Sequence, residues 1–478
     1  MIDARSPRRW ILGLLWAGLG TIGLNQTMAA TATLPVPKAV DSYASTQSLL
    51  STPSSWPGAR WWTRYGDPQL DGLIDEALAN APDIAAARAR LTQAAAIAGQ
   101  TAADQHPSVT ANADVSAEKA SVNMPASRPG NWQHAGEATL DFRWELDFWG
   151  RQRAQLAQAI SEREARRAEV AQASLTLSSA IVSAYADLAQ RFAERDAQQQ
   201  STRVLTQQEA LQRQRVSAGM DNQVAMLQTQ NRLAQAEAET ARIDAGIAET
   251  QHQIAALMGA GPDRGQAIRR PSARMLVAYA LPSQVTLNLI GRRPDLTAAR
   301  LRVVAHRQHI DERQAAFYPD ISLSGLLGLQ SVGLNVLTQR GSLTASYGPA
   351  VSLPLFDRDG LRAQLRDAEA SYAESVADYD RCVAQALRVI ADVGAEINAH
   401  QRILAQRQAA RNATAAARDI ARQRFALGID AYLDVLASEQ DAIDSERDLA
   451  QQEAVALKLD IALQKALGGG YADPATPN

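Results

Sequence analysis

The chain has only one cysteine, Cys382, so no internal disulfide can form; in its helical stretch it reads as a small packed residue. Aromatics make up 5 % of its 478 positions, too few to fill a thick globular core. Neither sign of charge prevails: the net value is -3, and no basic footprint points to nucleic acid. Past the first thirty residues no unbroken apolar run reaches about twenty residues, so no helix there is expected to cross a bilayer. Nucleophile elbow, phosphate-binding loop, paired-cysteine and His-Glu zinc motifs are missing, which speaks against an enzyme. His306 and His309 have a spacing compatible with a metal, but no second carboxylate–histidine cluster accompanies them, so no metal is assigned.

What the sequence does have is Ala, Gln and Arg crowded into long stretches with few prolines, a mixture that favours helices with narrow apolar stripes. Arg5, Arg8 and Arg9 precede an apolar run from Trp10 to Leu24, and Thr27-Met28-Ala29 and Ala30-Thr31-Ala32 follow as small-x-small patterns. A signal peptide is therefore expected over 1–30, then an extended segment over 31–60. No cysteine near the cleavage region offers a lipid acceptor. An exported chain without a spanning helix is periplasmic, secreted or a β-barrel of the outer membrane.

Internal repetition organises the rest. Pro82-Asp83-Ile84-Ala85-Ala86-Ala87-Arg88 recurs as Pro294-Asp295-Leu296-Thr297-Ala298-Ala299-Arg300, and His106-Pro107 as Tyr318-Pro319. Arg153-Ala154-Gln155-Leu156 matches Arg362-Ala363-Gln364-Leu365; Arg215, Gly219 and Asp221 match Arg424, Gly428 and Asp430; Leu257-Met258-Gly259 matches Leu467-Gly468-Gly469. Matches in one order imply a duplicated unit, over 60–265 and 283–470, with a linker at 266–282 and a tail at 471–478.

Each half opens with a helix at its Pro-Asp pair. Extended segments follow, expected near 108–118 and 137–148 and near 320–330 and 346–356. Leu140, Phe142, Trp144, Leu146 and Phe148 alternate with polar residues over about ten positions, the length of a barrel strand, and are assigned to a lipid-facing strand. Ile321, Leu323, Gly325, Leu327 and Leu329 form a second apolar face, and Val351, Leu353 and Leu355 a third. Proline-free stretches from Gly150 to Arg215 and Asp357 to Arg424 predict helices of roughly 100 Å. Gly219 and Gly428 break them, and Asp221 and Asp430 are expected to cap the returning helices, which run to Leu257 and Leu467. The opening helices would stack on these shorter ones to make up the length.

Four strands cannot close a membrane barrel. Open edges would leave backbone groups unpaired in lipid, so other copies must complete the sheet. Two copies would give eight strands with a filled interior, three would give twelve and room for a pore.

The chain resembles an outer-membrane factor of the TolC type, of the NodT-like branch of drug-efflux channels. The resemblance rests on Trp56-Pro57, Trp61-Trp62, Asp67-Pro68-Gln69-Leu70, Leu73-Ile74, Arg292-Arg293-Pro294-Asp295-Leu296, Phe317-Tyr318-Pro319, Leu353-Pro354-Leu355-Phe356 and Ala466-Leu467-Gly468-Gly469-Gly470. It implies a mainly α fold with a small membrane β part: duplicated long helical hairpins, a twelve-stranded barrel and a periplasmic α-barrel formed as a homotrimer. It further implies docking to a periplasmic adaptor and an inner-membrane pump, contact with outer-membrane lipid, and no cofactor. Arg215, Gly219, Asp221, Arg424, Gly428 and Asp430 would form the adaptor-docking tips. Asp434 would stand at the periplasmic entrance as a gate; Ala437 replaces the second acidic residue common there, and the first-half equivalent of Asp434 is Ala225. Arg292 and Arg293 are expected to be ion-paired at an equatorial belt. The competing expectations are the exit duct of a type I protein secretion system and a periplasmic coiled-coil adaptor or scaffold.

Overall fold

A computed structural model of the chain describes residues 33–39, 42–44, 56–119, 121, 123, 132–271, 289 and 291–473. Residues 1–36 group separately from 37–478; within the first group residues 33–36 carry neither helix nor strand. The expected signal over 1–30 and the linker positions 272–282 lie outside the described residues.

A 3-10 turn, Trp61–Tyr65, leads into helix α1 (Pro68–Asn80) and helix α2 (Pro82–Ala103). Asp67 starts α1 by accepting the Gln69 N–H at 2.9 Å, with Pro68 in the first turn. Leu70, Leu73, Ile74 and Ala77 then bury one stripe at helical spacing. Strands β1 (Ser108–Lys119) and β2 (Trp132–Leu146) follow, then helix α3 (Arg151–Ser217), helix α4 (Gln223–Leu257) and the short α5 (Pro262–Gln266). The same order returns in α6 (Pro294–Ala315), β3 (Asp320–Val332), β4 (Leu343–Ser352), α7 (Arg358–Ala426) and α8 (Tyr432–Ala466).

At 67 and 69 residues, α3 and α7 each extend about 100 Å. Their returning partners have 35 residues and the opening helices 22, and the short helices meet end to end. A Cβ on Gly259, just past α4, would lie 2.7 Å from Cδ of Pro82, the first residue of α2. A Cβ on Gly468, just past α8, would collide with the carbonyl oxygen of Arg292 beside the start of α6. Glycine is therefore required where one helix ends on the next. The two hairpins adjoin through α3 against α8, while α4 and α7 keep most of their outer residues exposed.

One hydrophobic cluster sits at the waist of this assembly, and buried apolar side chains continue along α7 from Ala368 to Ile397. Ile181, Val182, Tyr185 and Leu188 of α3 pack with Trp61, Trp62, Ile74, Ile254 and Met258. Nearer the tips a smaller cluster joins Val204 to Leu436 and Ile443.

The four strands form one antiparallel sheet in the order β1-β2-β3-β4, which leaves β1 and β4 as open edges. Continuous register sets Leu140 opposite Ala111 and Leu327, Phe142 opposite Val109 and Gly325, and Leu323 opposite Trp144 and Pro349. Residues directly opposite share a face, so one side of the sheet is apolar across all four strands. The other side carries Asn112, Asp114, Glu137, Asp141, Ser322, Ser324, Thr344 and Ser346.

Three expectations need correction. Phe148 is not part of the lipid-facing strand: β2 ends at Leu146, and Phe148 lies in the bend that leads to α3, 60 % exposed. The last strand spans 343–352 and not 346–356, so Leu353, Leu355 and Phe356 lie beyond it. Pro354 has no N–H to add to a ladder, and β3 runs out of partners at Asp320. Asp221 and Asp430 do not cap the returning helices, as the tip geometry below makes plain.

Candidate functional site: the hairpin tips and the sheet faces

At the first tip α3 closes with Met220 N–H donating to the Arg215 carbonyl at 2.8 Å, around Gly219 at φ +72°. At the second, Ile429 N–H donates to the Arg424 carbonyl at 2.9 Å, around Gly428 at φ +72°. Both are left-handed helix stops. A Cβ on either glycine would meet nothing within 4 Å, so backbone conformation and not crowding selects glycine here.

Each turn is braced by an arginine of the outgoing helix. Arg215 Nε donates to Asp221 at 3.3 Å; Arg424 grips Asp430 through Nε at 2.7 Å and a terminal nitrogen at 2.8 Å. The hydrogen bonds from Arg424, together with its charge, hold the Asp430 carboxyl below the usual carboxylate range. Asp221 also accepts the Asn222 N–H at 2.9 Å, just outside the helix, and the capping of both returning helices falls to other residues. Asn222 accepts the Ala225 N–H at 3.2 Å at the start of α4, whereas Asp434, in the first turn of α8, reaches back to the Ala431 N–H at 3.1 Å. Asp434 and Ala437 are both exposed, while Val435 and Leu436 between them are buried. The tips also present bare apolar side chains: Met220 on the first, Leu427 and Ile429 on the second, the latter two 75 % and 59 % exposed. The structure thus brings Arg215, Gly219 and Asp221 together in one turn, and Arg424, Gly428, Asp430 and Asp434 in the other.

The sheet divides differently. On its polar face Asp114 stands directly opposite Glu137, and Asn112 donates to Asp141 at 2.6 Å. Like charges on facing positions need water around them, so this face suits an aqueous surrounding. Leu140, Phe142, Trp144 and Leu146 lie on the opposite, apolar face, and Trp144 donates its ring N–H to the Gln105 carbonyl at 3.3 Å. Past the strand ends Trp149 stacks on Tyr318 at 4.8 Å and donates to the Pro319 carbonyl at 2.9 Å, an aromatic band suited to an interface.

At the waist Arg293 pairs with Asp295 at 2.6 Å and donates to the Ala466 carbonyl, while Arg292 lies over the Trp56 ring at 5.0 Å. His309 contacts Glu312 at 2.8 Å, and burial lowers the pKa of His306. Sequence reasoning missed two sets of buried polar contacts in the waist cluster. Tyr65 donates to Asp460 at 2.7 Å, Tyr185 donates to Asp67 at 2.7 Å, and Gln69 donates to the Tyr185 hydroxyl at 2.8 Å. Burial pushes the Asp460 carboxyl up. Its one sequence signal is a carboxylate set between Leu459 and Ile461 in an otherwise apolar helix end.

The sequence pattern of the family described as outer membrane efflux protein matches this chain twice, over residues 73–260 and 287–469. Fusaric acid resistance protein FusA of Burkholderia cepacia is 32 % identical over 368 residues, covering 75 % of this chain and 68 % of that one. Multidrug resistance outer membrane protein MdtP of Escherichia coli K12 is 29 % identical over 431 residues, covering 87 % and 88 %. The crystal structure of outer membrane protein VceC from Vibrio cholerae is similar with a TM-score of 0.79 at 37 % identity, over 87 % of this chain and all of that one.

Proposed function

The chain belongs to the outer membrane efflux protein family, and we propose that it works as a homotrimeric duct that carries drugs or other small toxic molecules from a periplasmic adaptor and inner-membrane pump to the exterior. It is an outer-membrane efflux channel and not an enzyme. The observation that carries the proposal is the sheet: one face apolar, one face charged, and two edges open. Each unpaired edge group would cost several kcal/mol in lipid, and three copies joined edge to edge give a closed barrel of twelve strands, wide enough for a wet pore. The exposed outer flanks of α4 and α7 fit the same reading, since a ring of copies would pair them into a hollow helical cylinder.

In such a duct the pump supplies the energy and the choice of cargo, and the channel supplies a path. The three copies of Asp434 would form one ring of carboxylates at the periplasmic entrance, attractive to cations. The paired tips, each with an arginine–aspartate brace and bare apolar residues, would meet the adaptor. An N-terminal export signal would bring the chain to the envelope. The relatives' names speak of resistance to fusaric acid and to many drugs, which favours small molecules over secreted polypeptide. The test is resistance in a host without its own channel, given this chain with the adaptor and pump of its own cell. Restored resistance that depends on all three components is expected; resistance unchanged by this chain contradicts the proposal.

A further inference from the structure

The connector between β3 and β4 plays no part in the function above, and it lies against the sheet. It is a stitched unit: Gly333 N–H donates to the His134 carbonyl at 2.6 Å, Ser331 Oγ to the Gly333 carbonyl at 3.0 Å and Ser342 Oγ to the Val336 carbonyl at 2.7 Å. Two short 3-10 turns, Leu334–Val336 and Arg340–Ser342, shape it. The side of the sheet it leans on is given by Gly136. A Cβ built there would lie 2.8 Å from Cδ2 of Leu334 and 3.1 Å from Cδ2 of Leu337. Gly136 lies on the same face of β2 as Ala138, Leu140 and Phe142, through a register without interruption. The two leucines therefore cover the apolar face, and the absent side chain at Gly136 is their seat.

The surroundings continue that face outward. Trp132 and Lys119 stand opposite each other on it, as do Leu329 and Leu343. Trp132, Leu334 and Leu343 are 67 %, 44 % and 65 % exposed, an apolar collar with a lysine and, in the connector, the exposed Arg340. Tryptophan with flanking lysine or arginine is the composition of a membrane–water boundary, where the ring sits at headgroup depth and the long cation reaches toward water and phosphate.

We infer that the connector is a membrane-surface element: it folds outward from the barrel rim and lays Leu334 and Leu337 into the acyl boundary of the outer leaflet, leaving the pore mouth uncovered by this segment. The inference rests on the reading of the apolar face as the lipid face. Its partner is the lipid surface itself, continuous with that face.

Spin labels introduced through Leu334→Cys, Leu140→Cys and Gln339→Cys, each in a Cys382→Ser full-length chain returned to phosphatidylethanolamine–phosphatidylglycerol vesicles, test it. Labels at 334 and 140 should be relaxed more by lipid-soluble oxygen than by a water-soluble nickel chelate, and the label at 339 the reverse. A label at 334 as open to nickel as that at 339, with 140 still in lipid, overturns the inference and spares the channel. Nickel access at 140 overturns the lipid-face reading beneath it. In protein shown to keep its helix content, Gly136→Val should unseat the leucines and raise nickel access at 334 several-fold; unchanged access removes Gly136 from its role as their seat. The label at 334 in the unsubstituted background decides the proposal even where that variant fails to fold.

Discussion

The two hairpin tips share a backbone and differ in chemistry. Both stop a helix of nearly seventy residues with a glycine at φ +72°, and both tie an arginine to an aspartate six residues on. Yet the first tip caps its returning helix with neutral Asn222, and the second with Asp434 from inside the helix. The parts that set geometry are repeated, and the parts that set charge are not. Duplication has kept the turn and left a helix-capping carboxylate inside the first turn of one returning helix only, since Ala225 occupies the matching position in the first half.

The largest effect should come from the shared part. Gly428→Val and Gly219→Val each force a branched residue into the left-handed region, at about 1–3 kcal/mol of strain. Gly428→Val should abolish adaptor-dependent resistance while trimers still form on sizing; loss of trimers would assign the glycine to folding. If Gly219→Val leaves resistance intact, the two tips are not equivalent partners of the adaptor.

Next is the charge that separates the tips. Asp434→Asn keeps an oxygen for the Ala431 N–H and removes the carboxylate, so it isolates charge from capping. It should raise single-channel conductance or relieve block by multivalent cations, as should Asp434→Ala, and Ala225→Asp should strengthen the block by adding a second ring. Unchanged conductance and block in all three would leave Asp434 as a cap only.

Smaller still is the brace. The Arg424–Asp430 pair is doubly bonded and the Arg215–Asp221 pair singly, so Arg424→Ala should loosen its tip more than Arg215→Ala does, read as faster amide exchange around Ile429 than around Met220. Equal loosening would erase that distinction.

The smallest effect is with pH. Asp430 has a folded pKa below its unfolded value, so its contribution is complete above about pH 4 and is lost as pH falls through the lower folded value. The brace should therefore leave adaptor affinity unchanged between pH 5.5 and 7.5. A difference between those pH values that disappears in Arg424→Ala would show the pair titrating where it should not.

Much of this was legible because periodicity reports local structure. The proline-free stretches placed both long helices to within two residues at each end, since only a break in the pattern can stop such a helix. Alternation found the strands but not where pairing stops: Leu353 and Leu355 continue the pattern of Val351 after β3 has no residue left to pair. Asp221 and Asp430 read as caps because an aspartate before a helix satisfies the capping rule, while the arginine that each one pairs with stands six residues upstream. The waist contacts were illegible for a different reason. Tyr65 and Asp460 are 395 residues apart, Asp67 and Tyr185 are 118 apart, and only the folded chain brings them together.

The most direct test of the central claim is conductance across a planar bilayer with detergent-extracted protein of known mass. Trimers that open discrete, cation-preferring channels are expected. Protein that stays soluble without detergent and carries no current would contradict the claim, and with it the reading of the sheet as a third of a barrel.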